Sequence, residues 1–516
     1  MKQSEEFDAI VIGTGMGGAA AGSVLVQSGL RVLFLERGLP QQNWDSRYAG
    51  AYPESFLGEG GRGGRAGGRA QVYARSGRAT YKVNSWIPVL GGGAGGGTAV
   101  YGAALFRFHP SDLKTWPGFE YETIAPFYAE CEEKFKVRGT KDPLCDQSRS
   151  YLPPPPMSSW GNDLFEFFCE AGLHPFRTPI GFENRPGCQQ CFGFFCGQDC
   201  KKTAANVFLE PILKSGQAYA EYATTAIRFD MQGRSISAIQ CSTPNGPREF
   251  RAKWFFVAAG ALMTPVLLMN SKSDQFPAGV GNAADLVGRY LMRHLIDFYF
   301  VRTQSSALAQ GNLIEVSATD FYSKESLKWG VLSASPGLMP PSLMADEFVE
   351  RLCALSPVPL PKSLMKLAAK FWLRHITAGR VLVSSILEDS PDKANRVLAG
   401  SSSDAVRIAY RLSGRDKKRV KECRNHLMQL FRPLSPNLIK VAEDNSFLAH
   451  VCGTCRVGQS SDDGVVDARG RVFGTENLYI TDSSIFVSSG GVNPSLTVAA
   501  CAMKVANQFV RNVWRS

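Results

Sequence analysis

His450 and Asn493 are the residues of this 516-residue chain whose types best suit chemistry at an alcohol carbon. Oxidising an alcohol requires loss of the hydroxyl proton while hydride leaves the same carbon. Imidazole, with an ordinary pKa near ~6.5, is the side chain suited to take that proton close to neutral pH. His450 is one of only six histidines. Asn493 offers both a donor and an acceptor, so it can hold the substrate oxygen in line without competing for the proton. A lone histidine is more often structural, so this pair gains its meaning from the segments around it. His109 and His294 are read as structural.

A second concentration of reactive side chains is Cys188, Cys191, Cys196 and Cys200, spaced C-x2-C-x4-C-x3-C. Such density points to thiol pairing or metal ligation. Zinc usually takes four tetrahedral ligands from two separated pairs and fits one compact run poorly. An iron–sulfur cluster accepts closely spaced thiolates, with Cys191, Cys196 and Cys200 as its ligands. Reduced or disulfide-linked structural thiols are the third reading. The thirteen cysteines are an odd number, and the start MKQSEEF has neither a basic nor an apolar stretch. Both features favour reduced thiols and a cytoplasmic location.

Composition sets outer bounds. At 44% hydrophobic the chain can bury a large core in two or three structural units, and it contains no apolar run of about 18 residues that could span a bilayer. A net charge of +11 and a pI near 9.0 bear on solubility and association without specifying function. No nucleic-acid partner is expected, and the short glycine–arginine stretch 58–69 reads as a basic loop near cofactor phosphates. Within residues 361–374, Lys362, Lys366, Lys370 and Arg374 recur every fourth residue and form one stripe on an otherwise apolar helix. That helix either covers the substrate pocket or docks as a peripheral element on an anionic membrane, admitting a lipid or quinone.

The elements that must position these groups begin at the N-terminus. Asp8-Ala-Ile-Val-Ile leads into Gly13-Thr-Gly15-Met-Gly-Gly18 and a small-residue helix, and a second strand then ends at Glu36. Gly13 allows a tight turn, Gly15 lets backbone approach a pyrophosphate, and Gly18 permits close packing of helix on strand. Glu36 is placed to accept hydrogen bonds from ribose hydroxyls. This is a dinucleotide site, and the motif alone does not separate FAD from NAD. A second glycine cluster, including Gly95, Gly96, Gly97 and Thr98, precedes Tyr101 and suits a backbone lying flat against a planar ring. The chain then leaves this fold over 111–200, resumes it near 252–268, leaves again over 296–440 and returns through a strand ending at Asp482.

Taken in order, four blocks resemble the glucose–methanol–choline (GMC) oxidoreductases: Gly13–Glu36, Leu90–Tyr101, Ala258–Leu268 with Gly288-Arg289 downstream, and His450-Val-Cys-Gly453 with Gly491-Val-Asn493-Pro494. The resemblance implies an α/β fold. In it a Rossmann-like FAD-binding domain (1–110, 201–295 and 441–516) is interleaved with a substrate domain built on an antiparallel sheet (111–200 and 296–440). It further implies FAD, with the flavin between the second glycine block and the C-terminal block, and a small-molecule alcohol such as a sugar or polyol as substrate. By resemblance His450 and Asn493 are the active-site pair, Asp482 contacts the ribityl or phosphate portion, and Pro494 lies beside the flavin. Tyr101 stands where cholesterol oxidases and others carry Asn. The cysteine run resembles the cluster loop of bacterial FAD-dependent sugar dehydrogenases, but Gln190 occupies the position of their first ligand. Long-chain alcohol oxidases carry cysteine-rich turns here without iron. The electron acceptor, whether oxygen, a quinone or a redox protein, is left open.

Overall fold

The computed structural model describes residues 7–40, 70–72, 87–145, 151–186, 188, 190, 196, 198–305, 313–322, 328–336, 345, 349, 353, 358, 361–400, 406–443, 447, 448 and 450–516. The stretch 58–69 and Cys191 lie outside them.

In chain order, the elements that frame the site are β1 (Phe7–Ile12), α1 (Met16–Gln27), β2 (Val32–Leu35), α2 (Tyr121–Lys134), α3 (Ser159–Glu170), β3 (Phe176–Arg177), β4 (Ala218–Glu221), β5 (Ala252–Val257) and α4 (Gly260–Asn270). They continue with β6 (Leu295–Arg302), β7 (Val316–Ala318), β8 (Val331–Ser335), α5 (Lys362–Thr377), β9 (Arg380–Leu387), α6 (Gly414–Leu430), β10 (Asn437–Lys440), β11 (Leu478–Ile480) and α7 (Ser495–Phe509).

β11, β5, β1, β2 and β4 form, in that order, a parallel sheet. The near-continuous apolar runs of β1 and β2 suit strands covered on both faces. α7 packs along α1 and ends with Phe509 edge-on to Trp254 and Phe256 of β5, at ring separations of 5.0 and 5.2 Å. A three-stranded antiparallel sheet over residues 225–250 precedes β5 and was not anticipated from the sequence.

β10, β6, β9, β8, β7 and β3 form an antiparallel sheet. Its strands alternate in the period-2 manner. Leu295, Tyr299, Val316, Leu332 and Val383 pack with Trp160 of α3 and Leu427 of α6 in one core. On the opposite face Ile296, Val331 and Ile386 join the larger core that holds Cys452 and Val492. Beside them, hydroxyls of Thr178, Ser317 and Ser333 bond in series at 2.7 and 3.0 Å. The parallel sheet takes its strands from 7–35, 218–257 and 478–480, and the antiparallel sheet takes its strands from 176–177 and 295–440.

Candidate active site

His450 is placed by register. Met292 and Cys452 form an antiparallel bridge and exchange both backbone hydrogen bonds at 3.0 Å. Two residues on along one segment and two back along the other, His294 faces His450, and their Nδ1 atoms lie 2.8 Å apart. The rings meet edge to face at 4.9 Å. The 450–457 segment is held in turn by residues 483–485. Gly453 and Cys455 donate to the carbonyls of Ser483 and Ser484, and Ser483 donates its hydroxyl to the Val451 carbonyl. Gly453 is required here, because a Cβ would stand 2.5 Å from the Tyr290 carbonyl oxygen.

The hydrogen bonds fix the tautomers. His294 Nε2 lies 2.9 Å from the Ser489 carbonyl, which can only accept, so Nε2 carries the hydrogen. Burial lowers the pKa of His294 to about 4, so near neutral pH the ring is neutral and its Nδ1 is an acceptor. His450 must therefore donate from Nδ1, which leaves its Nε2 with a lone pair. Burial, and secondarily the neighbouring His294, lowers the pKa of His450 to about 3. The Ser489 hydroxyl accepts from the Asp389 backbone N at 2.9 Å. Asp389 itself accepts from the Arg293 N and the Tyr410 hydroxyl, and burial pushes it up to about 7. Sequence reasoning took His294 for a structural residue, and its position six residues beyond Gly288, near a recognised block, was the available signal.

Asn493 lies on the same loop as Ser489, and its Oδ1 is buried with no hydrogen-bond partner. No hydrogen bond joins it to His450 among the described residues. Pro494 is the N-cap of α7.

The glycine segments form one surface. Gly95 donates to the Thr14 carbonyl at 3.2 Å. A Cβ on Gly18 would come 2.0 Å from the Gly13 carbonyl oxygen, as expected for helix packed on strand. Gly13 itself has φ +100°. Gly17 is tighter still, since a Cβ there would lie 1.8 Å from the Thr481 carbonyl oxygen. By contrast a Cβ on Gly15 would have only the Gly96 Cα near it, at 3.9 Å, and one on Gly97 nothing within 4 Å. No side chain caps α1, and its first turn carries no acid. An uncapped helix N-terminus facing open glycine backbone suits a pyrophosphate. Together with the orphaned Asn493 Oδ1 and the buried, unpartnered hydroxyls of Thr481 and Ser484, these residues fit FAD.

The acids predicted to touch FAD are engaged within the protein. Glu36 stands just beyond β2 and accepts from the backbone N and hydroxyl of Thr14, from Gly38 N and from Gly93 N, at 2.7–3.0 Å. It ties the first glycine turn to the second, so a ribose hydroxyl would have to replace one of these four donors. Asp482 accepts from Ser484 N, Gly260 N and the Thr264 hydroxyl, and so fastens the end of β11 to the N-terminus of α4. Thr98 bonds to the Gly95 carbonyl and Ala204 N. The Tyr101 hydroxyl is spent on the Lys202 carbonyl. His109 caps the turn at Pro110–Leu113.

Tyr101 and Cys188 both pack against a small buried cluster that contains Cys196 and Cys200. Burial and the adjacent Cys188 and Cys196 push the Cys200 thiol up to about 12. Among the described residues no group of three or more His, Cys, Asp or Glu is arranged to hold a metal ion.

A parallel sheet carrying a glycine cradle, together with a buried imidazole that keeps a free nitrogen, fits a nucleotide-dependent oxidoreductase. Models of the GMC oxidoreductases match residues 170–296 and 391–502, and the chain belongs to that family of FAD-dependent enzymes. It is similar to paromamine 6'-oxidase of Streptomyces fradiae, with 27% identity over 97% of this chain and 90% of that one. It is also similar to the fructose dehydrogenase large subunit of Gluconobacter japonicus, with 25% identity over 98% of each. Among solved structures, an Aspergillus oryzae formate oxidase studied for FAD modification superposes with a TM-score of 0.69 over the whole of both chains at 13% identity, a likeness of fold.

Proposed function

We propose that the chain oxidises a CH–OH group of a sugar, polyol or amino sugar, with His450 Nε2 taking the hydroxyl proton. The carrying observation is the hydrogen-bond chain from the Ser489 carbonyl through His294 to His450, which leaves that one nitrogen free to accept. FAD, when bound, supplies the hydride acceptor. The Asn493 side-chain amide, whose Oδ1 is buried and unpartnered, holds the substrate oxygen by donating to it and so leaves the hydroxyl proton to His450. The low basicity of a buried imidazole next to another means that proton transfer is favourable only as the hydride departs from the same carbon. The relatives whose names specify paromamine and fructose support a carbohydrate-like alcohol. We assign 1–110, 201–295 and 441–516 to the FAD-binding domain, and 111–200 and 296–440 to the substrate domain.

His450→Ala should retain FAD yet slow flavin reduction about 10²–10⁴-fold in anaerobic stopped-flow. Unchanged reduction would remove His450 from the chemistry. The relatives include both oxidases and dehydrogenases, and peroxide release during turnover separates the two. We propose that the flavin passes its electrons directly to a small acceptor and that Cys191, Cys196 and Cys200 remain thiols. Protein purified without oxygen should then contain no stoichiometric iron or acid-labile sulfide, and finding both would instead wire the flavin through a cluster to a redox partner. A flavin module that oxidises no alcohol itself is the remaining alternative, and it would show no bleaching with any alcohol in an anaerobic screen.

A further inference from the structure

Helix α5 is apolar on two sides. Met365, Ala369, Leu373 and Ile376 pack on Ala345 and Val349 within the protein. On another face Leu364, Leu367, Phe371 and Trp372 project into solvent, at 66%, 67%, 78% and 49% exposure. Leu364, Leu367 and Phe371 are three and four residues apart, so at 3.6 residues per turn they stand on one line. No such run of large apolar side chains is exposed elsewhere among the described residues. The sequence expectation of a helix that covers a pocket accounts for the first face and leaves the second unexplained.

The charge of the helix says what meets that second face. Lys362, Lys366, Lys370 and Arg374 run along α5 between the buried and exposed apolar stripes, and the helix contains no Asp or Glu. The chain carries +11 overall. A second copy would bring the same cations to the same place and repel. An exposed line of Leu, Phe and Trp beside a stripe of cations matches a helix lying in the headgroup region, its apolar side chains in the acyl boundary and its cations on anionic headgroups. No helix among the described residues is long and apolar enough to cross a membrane, so contact of this kind is peripheral.

We infer that α5 is a membrane-docking helix, which seats the chain on an anionic lipid bilayer through Leu364, Leu367, Phe371 and Trp372 with its cation stripe on the headgroups. Docking holds the enzyme where acceptors or alcohols dissolved in the bilayer are concentrated.

The test sediments the full-length, FAD-loaded protein with vesicles of phosphatidylcholine alone or mixed with phosphatidylglycerol. Binding is expected to the mixed vesicles and to weaken with salt. Each cation contributes about fivefold, so Lys366→Gln with Lys370→Gln should weaken binding by about 25-fold. Leu367→Ser with Phe371→Ser should abolish it. Anaerobic flavin reduction in solution should be unchanged in both variants, which shows that the variants are folded. No sedimentation with anionic vesicles at low salt would overturn the inference. So would binding that survives the Leu367→Ser, Phe371→Ser variant, or a wild-type dimer on gel filtration that this variant dissolves, since the face would then belong to a second copy.

Discussion

His450 has φ +60°, a left-handed backbone state that costs a residue with a Cβ about 1–3 kcal/mol and persists only where surrounding structure over-determines it. The Met292–Cys452 bridge and the His294 hydrogen bond supply that determination. Replacing His294 with Leu should free the His450 tautomer and lower kcat by at least about tenfold with little change in KM. Asn in its place keeps an acceptor for His450 and a donor for Ser489, and should recover part of the loss. Equal defects in the two variants would mean that His294 matters only for packing. With His450 held at about 3 and His294 at about 4, the proton-accepting form persists far below the ordinary imidazole range. Flavin reduction should accordingly hold from pH 8 down to about pH 5, and half-loss near 6.5 would contradict the buried pair. Asp389, at about 7, is the nearby carboxyl that could add a step, and Asp389→Asn would remove it. His450 and Asn493 were singled out from residue type and context. His294 was not, because its partner lies 156 residues away and only the fold brings the two rings together.

At the level of elements, the N-terminal unit followed from its residues almost entirely. The strand, turn and helix order, Gly13 at the turn and Gly18 against the strand all reflect local sterics. What local reasoning could not supply is how this unit meets distant segments. Gly17, unremarked in the motif, is pressed against Thr481. Gly17→Ala should therefore cost about 1–3 kcal/mol or more, read as a lowered Tm and weakened FAD retention, because α1 must move off the end of β11. Gly15→Ala should leave Tm nearly unchanged and act on FAD affinity instead, its Cβ meeting only the Gly96 Cα at 3.9 Å. If the two variants behave alike, the close contact does not carry the packing. The same limit applies to Glu36, whose strand-end position was clear while its four internal donors came from glycine turns far along the chain. The sheet over 225–250 went unseen because its alternating, half-exposed strands carry little hydrophobic signal beside the buried run of β5.

On the scale of the whole molecule, two cores divide the labour. One builds the parallel sheet and the cradle, and the other backs the antiparallel sheet with α3 and α6. The four ordered blocks each contribute residues to the first of these cores. The antiparallel sheet lacked such marks, and its contents emerged only from the alternation of side chains in the folded strands. A screen of sugars, amino sugars, polyols and aliphatic alcohols by anaerobic flavin bleaching should therefore find reduction first among the hydroxyl-rich compounds. The bridge between Met292 and Cys452 also constrains how such a chain can change length. Closing a longer or shorter loop costs little, so loops between positions 296 and 440 can gain or lose residues. One residue inserted between Met292 and His294, or between His450 and Cys452, would instead turn an imidazole to the opposite side of its segment. Such an insertion should spare the fold and silence the chemistry, so the tolerance of this protein to insertions is set by two tripeptides.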